Sequence, residues 1–398
     1  MLFSSRTGWP LYPNRLSELV HERRERGVPI LDLTESNPTR CGFTIDAEEI
    51  LAPLGDRRAL TYQPDPRGLL TAREAVAQYY SERGIQLDPD QIFLTTSTSE
   101  AYSFVFRLLA NPGDSILAPQ PSYPLFDFLG GLNDVKILPY PLVYDGGWQV
   151  DLDALVSRAE SRCPAVLVVH PNNPTGSYVQ KPELARIMEI CCRSQAALIA
   201  DEVFADYALT ADQDRVVSHA QVSDALTFTL SGLSKILALP QMKLAWIVVN
   251  GPQEPRRDAQ ARLEVIADTY LSVSAPVALA TPRWLAQRHA IQSQILERVQ
   301  VNLRKLDALL ARGLPAQAGL PVNRLKVEGG WYTILRVPST RSDEDWAVEL
   351  LTQESVLVHP GHFYDFPSEG FLVLSLLPPP GSFEEGLRKV ISRICAQS

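Results

Sequence analysis

Cysteine is scarce in this 398-residue chain, and the five present (Cys41, Cys163, Cys191, Cys192, Cys395) form no Cys-x-x-Cys pair and stand at no zinc-type spacing from histidine. No metal site is therefore expected, and the thiols read as buried groups of a reducing compartment, the cytoplasm. Positive charge is in deficit as well. Against 46 Asp and Glu there are 37 Lys and Arg, a net charge of -9, which argues against a nucleic-acid partner because a basic patch is the usual footprint of phosphate-backbone contact. No apolar run approaches the length of a membrane span, and Met1-Leu-Phe-Ser-Ser-Arg6 lacks a basic-then-apolar secretory pattern, so no membrane association is expected. No Gly-x-Gly-x-x-Gly follows the first strand, which sets aside a nucleotide-binding dehydrogenase. Ser234 lacks the Gly-x-Ser-x-Gly elbow of serine hydrolases.

What is present is an ordinary globular composition, 45% apolar and 21% charged, in a chain too long for one hydrophobic core. Seven short apolar runs read as buried strands: Ile92–Thr95, Ser115–Ala118, Val135–Leu138, Val166–Val169, Leu198–Ala200, Leu226–Leu230 and Leu244–Val249. Stretches of helical spacing such as Lys181–Gln195 separate several of them. That alternation predicts an α/β fold with a mostly parallel, seven-stranded sheet flanked by helices. A helical region from Pro282 to Leu310 is expected to lead into a smaller α+β domain, with strands at Leu325–Val327, Tyr332–Val337, Val356–Val358 and Phe371–Leu376. The helix around Arg15–Arg26 is expected to pack there too. The predicted division is a large domain over 40–275 and a discontinuous small one over 1–39 and 276–398.

Four segments carry candidate chemistry. Ser231-Gly-Leu-Ser-Lys235 follows an apolar strand and puts one lysine among small residues, with room for a flat cofactor. A lysine amine loses its charge easily when partly desolvated and then forms a Schiff base with an aldehyde; a solvated turn is the alternative. Val168-Val-His-Pro-Asn-Asn-Pro-Thr-Gly176 leaves a strand and places Asn173 before Pro174, which biases the asparagine backbone toward an extended form. In Ala197-Leu-Ile-Ala-Asp201 a carboxylate ends a buried strand, where open α/β sheets place ligands; the alternative is a helix N-cap. Ile92-Phe-Leu-Thr-Thr-Ser-Thr-Ser-Glu100 opens a helix with hydroxyls, as a phosphate site or as a plain capping box.

These segments, in this order, resemble the aminotransferase class I/II family, fold type I enzymes that use pyridoxal 5′-phosphate. The resemblance begins at Leu31-Asp-Leu-Thr-Glu-Ser-Asn-Pro38. It continues through Tyr62-Gln-Pro-Asp-Pro-Arg-Gly68 and Asn111-Pro-Gly-Asp-Ser-Ile-Leu-Ala-Pro-Gln-Pro-Ser-Tyr-Pro124, and ends near His359-Pro-Gly361. It implies transfer of an amino group between an amino acid and a 2-oxo acid through a Lys235 aldimine and a quinonoid intermediate. By the same resemblance Lys235 is the Schiff-base residue and base, Asp201 pairs with the pyridine nitrogen, and Asn173 donates to the ring oxygen. Tyr123 stacks on the ring, Ser97, Thr98, Ser99 and Lys243 surround the phosphate, and Ser231 is a further cofactor-binding residue. Tyr62 reaches the phosphate of a neighbouring subunit, so a homodimer with shared active sites is implied. Asn37 and Arg40 fall on the substrate side, while Trp9, Trp331 and His362 are weaker candidates for side-chain selectivity.

Departures from the family pattern are equally informative. Lys243 stands where the family usually has a phosphate-gripping arginine, and loses its two-pronged geometry. Phe204 replaces a tyrosine that donates to the ring oxygen, leaving Tyr207 as the nearby substitute. Val373, in Phe371-Leu-Val-Leu-Ser375, occupies the place of the arginine that clamps the substrate carboxylate. Arg40 or Arg336 could replace it. That gap keeps a PLP-dependent amino-acid lyase or decarboxylase as the alternative, because carboxylate placement decides which Cα bond breaks. A regulatory protein built on the same fold would need an appended DNA-binding module, which this chain does not show.

Overall fold

The computed structural model describes residues 2–159, 163–312 and 321–397. Strands β1 to β14 are, in chain order, Leu31–Asp32, Ile92–Thr95, Ser115–Gln120, Lys136–Tyr144, Trp148–Val150, Ala165–Val169, Ala197–Asp201, Thr227–Gly232, Ala245–Asn250, Asn323–Arg324, Tyr332–Arg336, Val356–Leu357, His359–Pro360 and Phe371–Ser375. The large sheet has the order β2-β9-β8-β7-β6-β3-β4-β5. All seven expected strands are in it, and the short strand β5 adds an eighth. Pairing is parallel across β8, β7, β6, β3 and β4, and antiparallel at β9 and β5. Every residue of β6, β7 and β8 is buried, because helices cover both faces of a parallel sheet and leave no polar side.

Strands β2, β6, β7 and β8 all end at the same edge of this sheet, and β9 begins there. The loops after them therefore converge on one place, as open α/β sheets favour. Gly232 makes one of these crossings possible: a Cβ there would lie 2.8 Å from the Ala245 Cβ on β9.

A four-stranded antiparallel sheet, β10-β11-β14-β13, forms the second layer, and β1 pairs with β12 alongside it. The segment expected as a strand at Val356–Val358 thus pairs with β1 outside this sheet. The strand expected at Leu325–Val327 begins and ends earlier, at Asn323–Arg324. The expected Pro282–Leu310 helix is two helices, Ala275–Ala286 and Arg288–Arg312, with Pro282 inside the first. The N-terminal helix Arg15–Glu25 docks as expected, through Arg15 to Asp345 at 2.8 Å and Arg23 to Ser355 at 3.0 Å.

Candidate active site

Where those strand ends meet, a cavity of about 340 Å³ opens. Its wall includes Lys235, Asp201, Asn173, Tyr123, Ser97, Thr98, Ser99 and Lys243, together with Ser36 and Tyr332. Eight residues singled out in the sequence are thus neighbours around one space, although they span positions 97 to 243.

Each is held by its element. Asp201 ends β7 fully flanked by strands and is 6% exposed. Its Oδ2 accepts from the Tyr102 hydroxyl at 2.7 Å and its Oδ1 from the Val203 N–H at 3.1 Å. No helix follows, so the N-cap alternative is not realised. Burial pushes the Asp201 carboxyl up to about 6, against the Tyr102 and Val203 hydrogen bonds. Lys235 lies in the short Leu233–Ile236 helix after β8. Its Nζ stands 5.4 Å from the Phe204 ring centre and 5.0 Å from that of Trp331. Enclosure among these rings lowers the amine to about 8, with Asp201 pulling the other way. At pH 7 about a tenth of such amines are unprotonated, several hundred-fold more than for a solvated lysine.

The Thr98–Leu109 helix starts at the cavity. Of the two sequence alternatives for its N-terminus, the structure forms the helix cap. Ser97 caps it, accepting from the Glu100 N–H at 3.1 Å, while Glu100 accepts from the Thr96 N–H at 2.7 Å. Ser97, Thr98 and Ser99, which open this helix, line the cavity, and so does the exposed Lys243. A helix N-terminus with a cation beside it suits a dianionic phosphate. Asn173 is 8% exposed, and its Oδ1 has no partner among the described residues.

Other sequence candidates lie elsewhere. The Ser231 hydroxyl turns away to the Glu202 carbonyl at 3.4 Å, and Ser231 is absent from the cavity wall. Tyr62 is 77% exposed and lines a separate groove with Ser272 and Leu271. Asn37 folds its side chain back onto the Thr39 N–H and hydroxyl. Arg40 is exposed and does not line the cavity, and Arg336 lies over Phe371. Tyr207 cannot serve as a donor into the cavity, because its hydroxyl donates to the Lys235 carbonyl at 2.6 Å. Trp331 is buried against Phe204, whereas Trp9 contacts Phe128 and His362 contacts Phe363.

Sequence reasoning missed Tyr102, one helical turn after Thr98, and Tyr332 beside the noticed Trp331. It also missed the buried group behind Asp201. Glu202 accepts from the Ser218 hydroxyl and the His219 N–H, each at 2.6 Å, and meets His219 Nδ1 at 2.9 Å. Burial raises its carboxyl, yet His219 wins and holds it at about 2. Glu202 directly follows Asp201, the last residue of β7, so the Asp-Glu pair at that strand end was the available signal.

Comparison with known proteins follows the same lines. The family model described as aminotransferase class I and II matches residues 30–390. Glutamate-pyruvate aminotransferase AlaA of Haemophilus influenzae is 28% identical over 376 residues, 92% of this chain and 91% of that protein. Alanine aminotransferase of Mycobacterium bovis is 28% identical over 379 residues, 90% and 85% of the two chains. Among solved structures, an aminotransferase from Escherichia coli superposes with a TM-score of 0.86 at 25% identity, covering 99% of this chain and 98% of the other.

Proposed function

We propose, from the premise that this chain belongs to the aminotransferase class I and II family, that the cavity around Lys235 and Asp201 is the active site of its amino-group transfer. The family is PLP-dependent. When bound, PLP supplies an aldehyde that captures the amine and a ring that accepts electrons from the substrate Cα. The residues present suit such a group, with an enclosed amine, a buried carboxylate and a hydroxyl-lined helix terminus on one wall. That shared wall is the observation that carries the reading.

Lys235 would hold the aldehyde carbon and afterwards move the proton at the substrate Cα, a task suited to an amine lowered to about 8. Asp201 would face the ring nitrogen and keep its proton, with Tyr102 fixing the carboxylate. Asn173 would donate to the ring oxygen and Tyr123 would cover the ring face. The Ser97–Ser99 amides and hydroxyls, with Lys243, would bind the phosphate. Phe204 brings no hydroxyl to the ring oxygen.

The substrates we propose are an amino acid and a 2-oxo acid, with alanine, glutamate and pyruvate first in line from the names of the relatives. We also propose a cytoplasmic homodimer in which Tyr62 reaches the partner's phosphate site. Its exposure, with Leu60 at 84% exposed nearby, supports a covering second copy. The division into 40–275 and 1–39 with 276–398 is proposed on the same footing. Mixing the PLP-loaded protein with L-alanine or L-glutamate and no oxo acid tests the chemistry. Stoichiometric pyridoxamine phosphate and 2-oxo acid are expected, whereas ammonia or carbon dioxide release would favour the lyase or decarboxylase.

A further inference from the structure

Strand β14 places Val373 in the middle of the second sheet, opposite Ile334 on β11 and opposite His359 on β13. Directly opposed residues share a sheet face, and so do residues two apart. Val373 therefore stands on the same face as Tyr332, which lines the cavity. A valine buried here brings no charge to that face. Among the described residues no arginine lines the cavity, and its two lysines are assigned above to the aldehyde and the phosphate. His359 offers no replacement cation: burial holds it at about 4, with Asp32 pulling upward.

What this face does carry is a chain of neutral polar groups. His359 Nδ1 lies 3.1 Å from the Tyr364 hydroxyl. The Tyr364 hydroxyl neighbours that of Tyr332, and Tyr332 in turn neighbours the Ser36 side chain. Ser36 and Tyr332 both line the cavity.

Resting on the transfer reading above, we infer that the hydroxyls of Tyr332 and Ser36 receive the substrate carboxylate in this chain, in place of a guanidinium, with His359 and Tyr364 as positioning residues behind them. A carboxylate accepts well from hydroxyl donors, and charge-assisted bonds of this kind are stronger than neutral ones. Without a cation the carboxylate is held less tightly, so selectivity for it depends on these two hydroxyls.

The test uses the PLP-loaded enzyme and two ligand sets, amino acids and the matching primary amines that lack the carboxylate. Affinities come from the change in cofactor absorbance in single-turnover titrations. Tyr332→Phe is expected to weaken amino-acid binding at least about tenfold, and Ser36→Ala severalfold, with the carboxylate-free amines unchanged. His359→Gln should give a smaller loss in the same direction. Equal losses for both ligand sets would assign Tyr332 to the cofactor or the fold and overturn the inference. So would no loss in either variant, or a loss transferred to Arg40→Ala. If no amine of either kind converts the cofactor, the transfer reading itself fails.

Discussion

Replacing Tyr102 by Phe removes one atom, the hydroxyl that donates to Asp201 Oδ2 at 2.7 Å in a fully buried setting. A hydrogen bond to a charged group contributes about 1.5–3 kcal/mol, which equals roughly one to two pKa units. Asp201 already sits at about 6, raised by burial above its ordinary 3.8. Without Tyr102 it should rise to between about 7 and 8. The sign follows from linkage. A carboxyl whose folded pKa lies above its unfolded value favours the folded state at low pH, and that advantage is lost as pH rises through the folded pKa. In the wild type the loss runs from about pH 4 to about pH 6; in Tyr102→Phe it extends further and is larger. Urea unfolding of the cofactor-free protein at pH 5 and at pH 8.5 should therefore give two different mutational costs. The cost at pH 8.5 should exceed that at pH 5 by about 1.5–3 kcal/mol. Lys235 titrates in both proteins, so its contribution largely cancels from the comparison. Equal costs at the two pH values would show that Tyr102 does not stabilise the Asp201 carboxylate.

Lys243→Ala should weaken PLP binding about ten- to a hundredfold, read by fluorescence titration; unchanged affinity would remove Lys243 from the phosphate site. Asp201→Ala should retain PLP while turnover falls by orders of magnitude, and near-normal turnover in a coupled 2-oxo acid assay would refute its role at the ring nitrogen. Gly176→Ala should destabilise the fold by about 2–5 kcal/mol. Its φ of +69° is left-handed, and a Cβ would collide with the Val327 side chain and the Gly329 carbonyl oxygen. A thermal midpoint equal to the wild type would contradict that.

The strand ends were legible in the sequence because a buried parallel strand is a short apolar run and its following loop is rich in Gly, Pro, Asn or Ser. Lys235, Asp201, Asn173 and Ser97 each follow such a run. Strand β5 escaped because Trp148–Val150 is short and partly exposed, and the pairing of β12 with β1 was not foreseen because so short a strand shows no pattern that names its neighbour. The start of the Ala275–Ala286 helix was missed because Pro282 read as a boundary, although the proline is accommodated inside it. Side-chain direction was the other blind spot. Whether Tyr207 points into the cavity or to the Lys235 carbonyl depends on how the loop after β7 packs on β8, and spacing does not encode that. Tyr102 reaches Asp201 only because its helix docks across the strand end, a contact 99 residues apart in the chain.

Borohydride reduction of the PLP-loaded protein, followed by peptide mapping, tests the central claim most directly. A single pyridoxyl adduct on Lys235 is predicted, absent from Lys235→Ala. Its rate of formation from added PLP should rise with pH around a midpoint near 8, where the enclosed amine loses its proton. An adduct on another lysine, or one that persists in Lys235→Ala, would contradict the account.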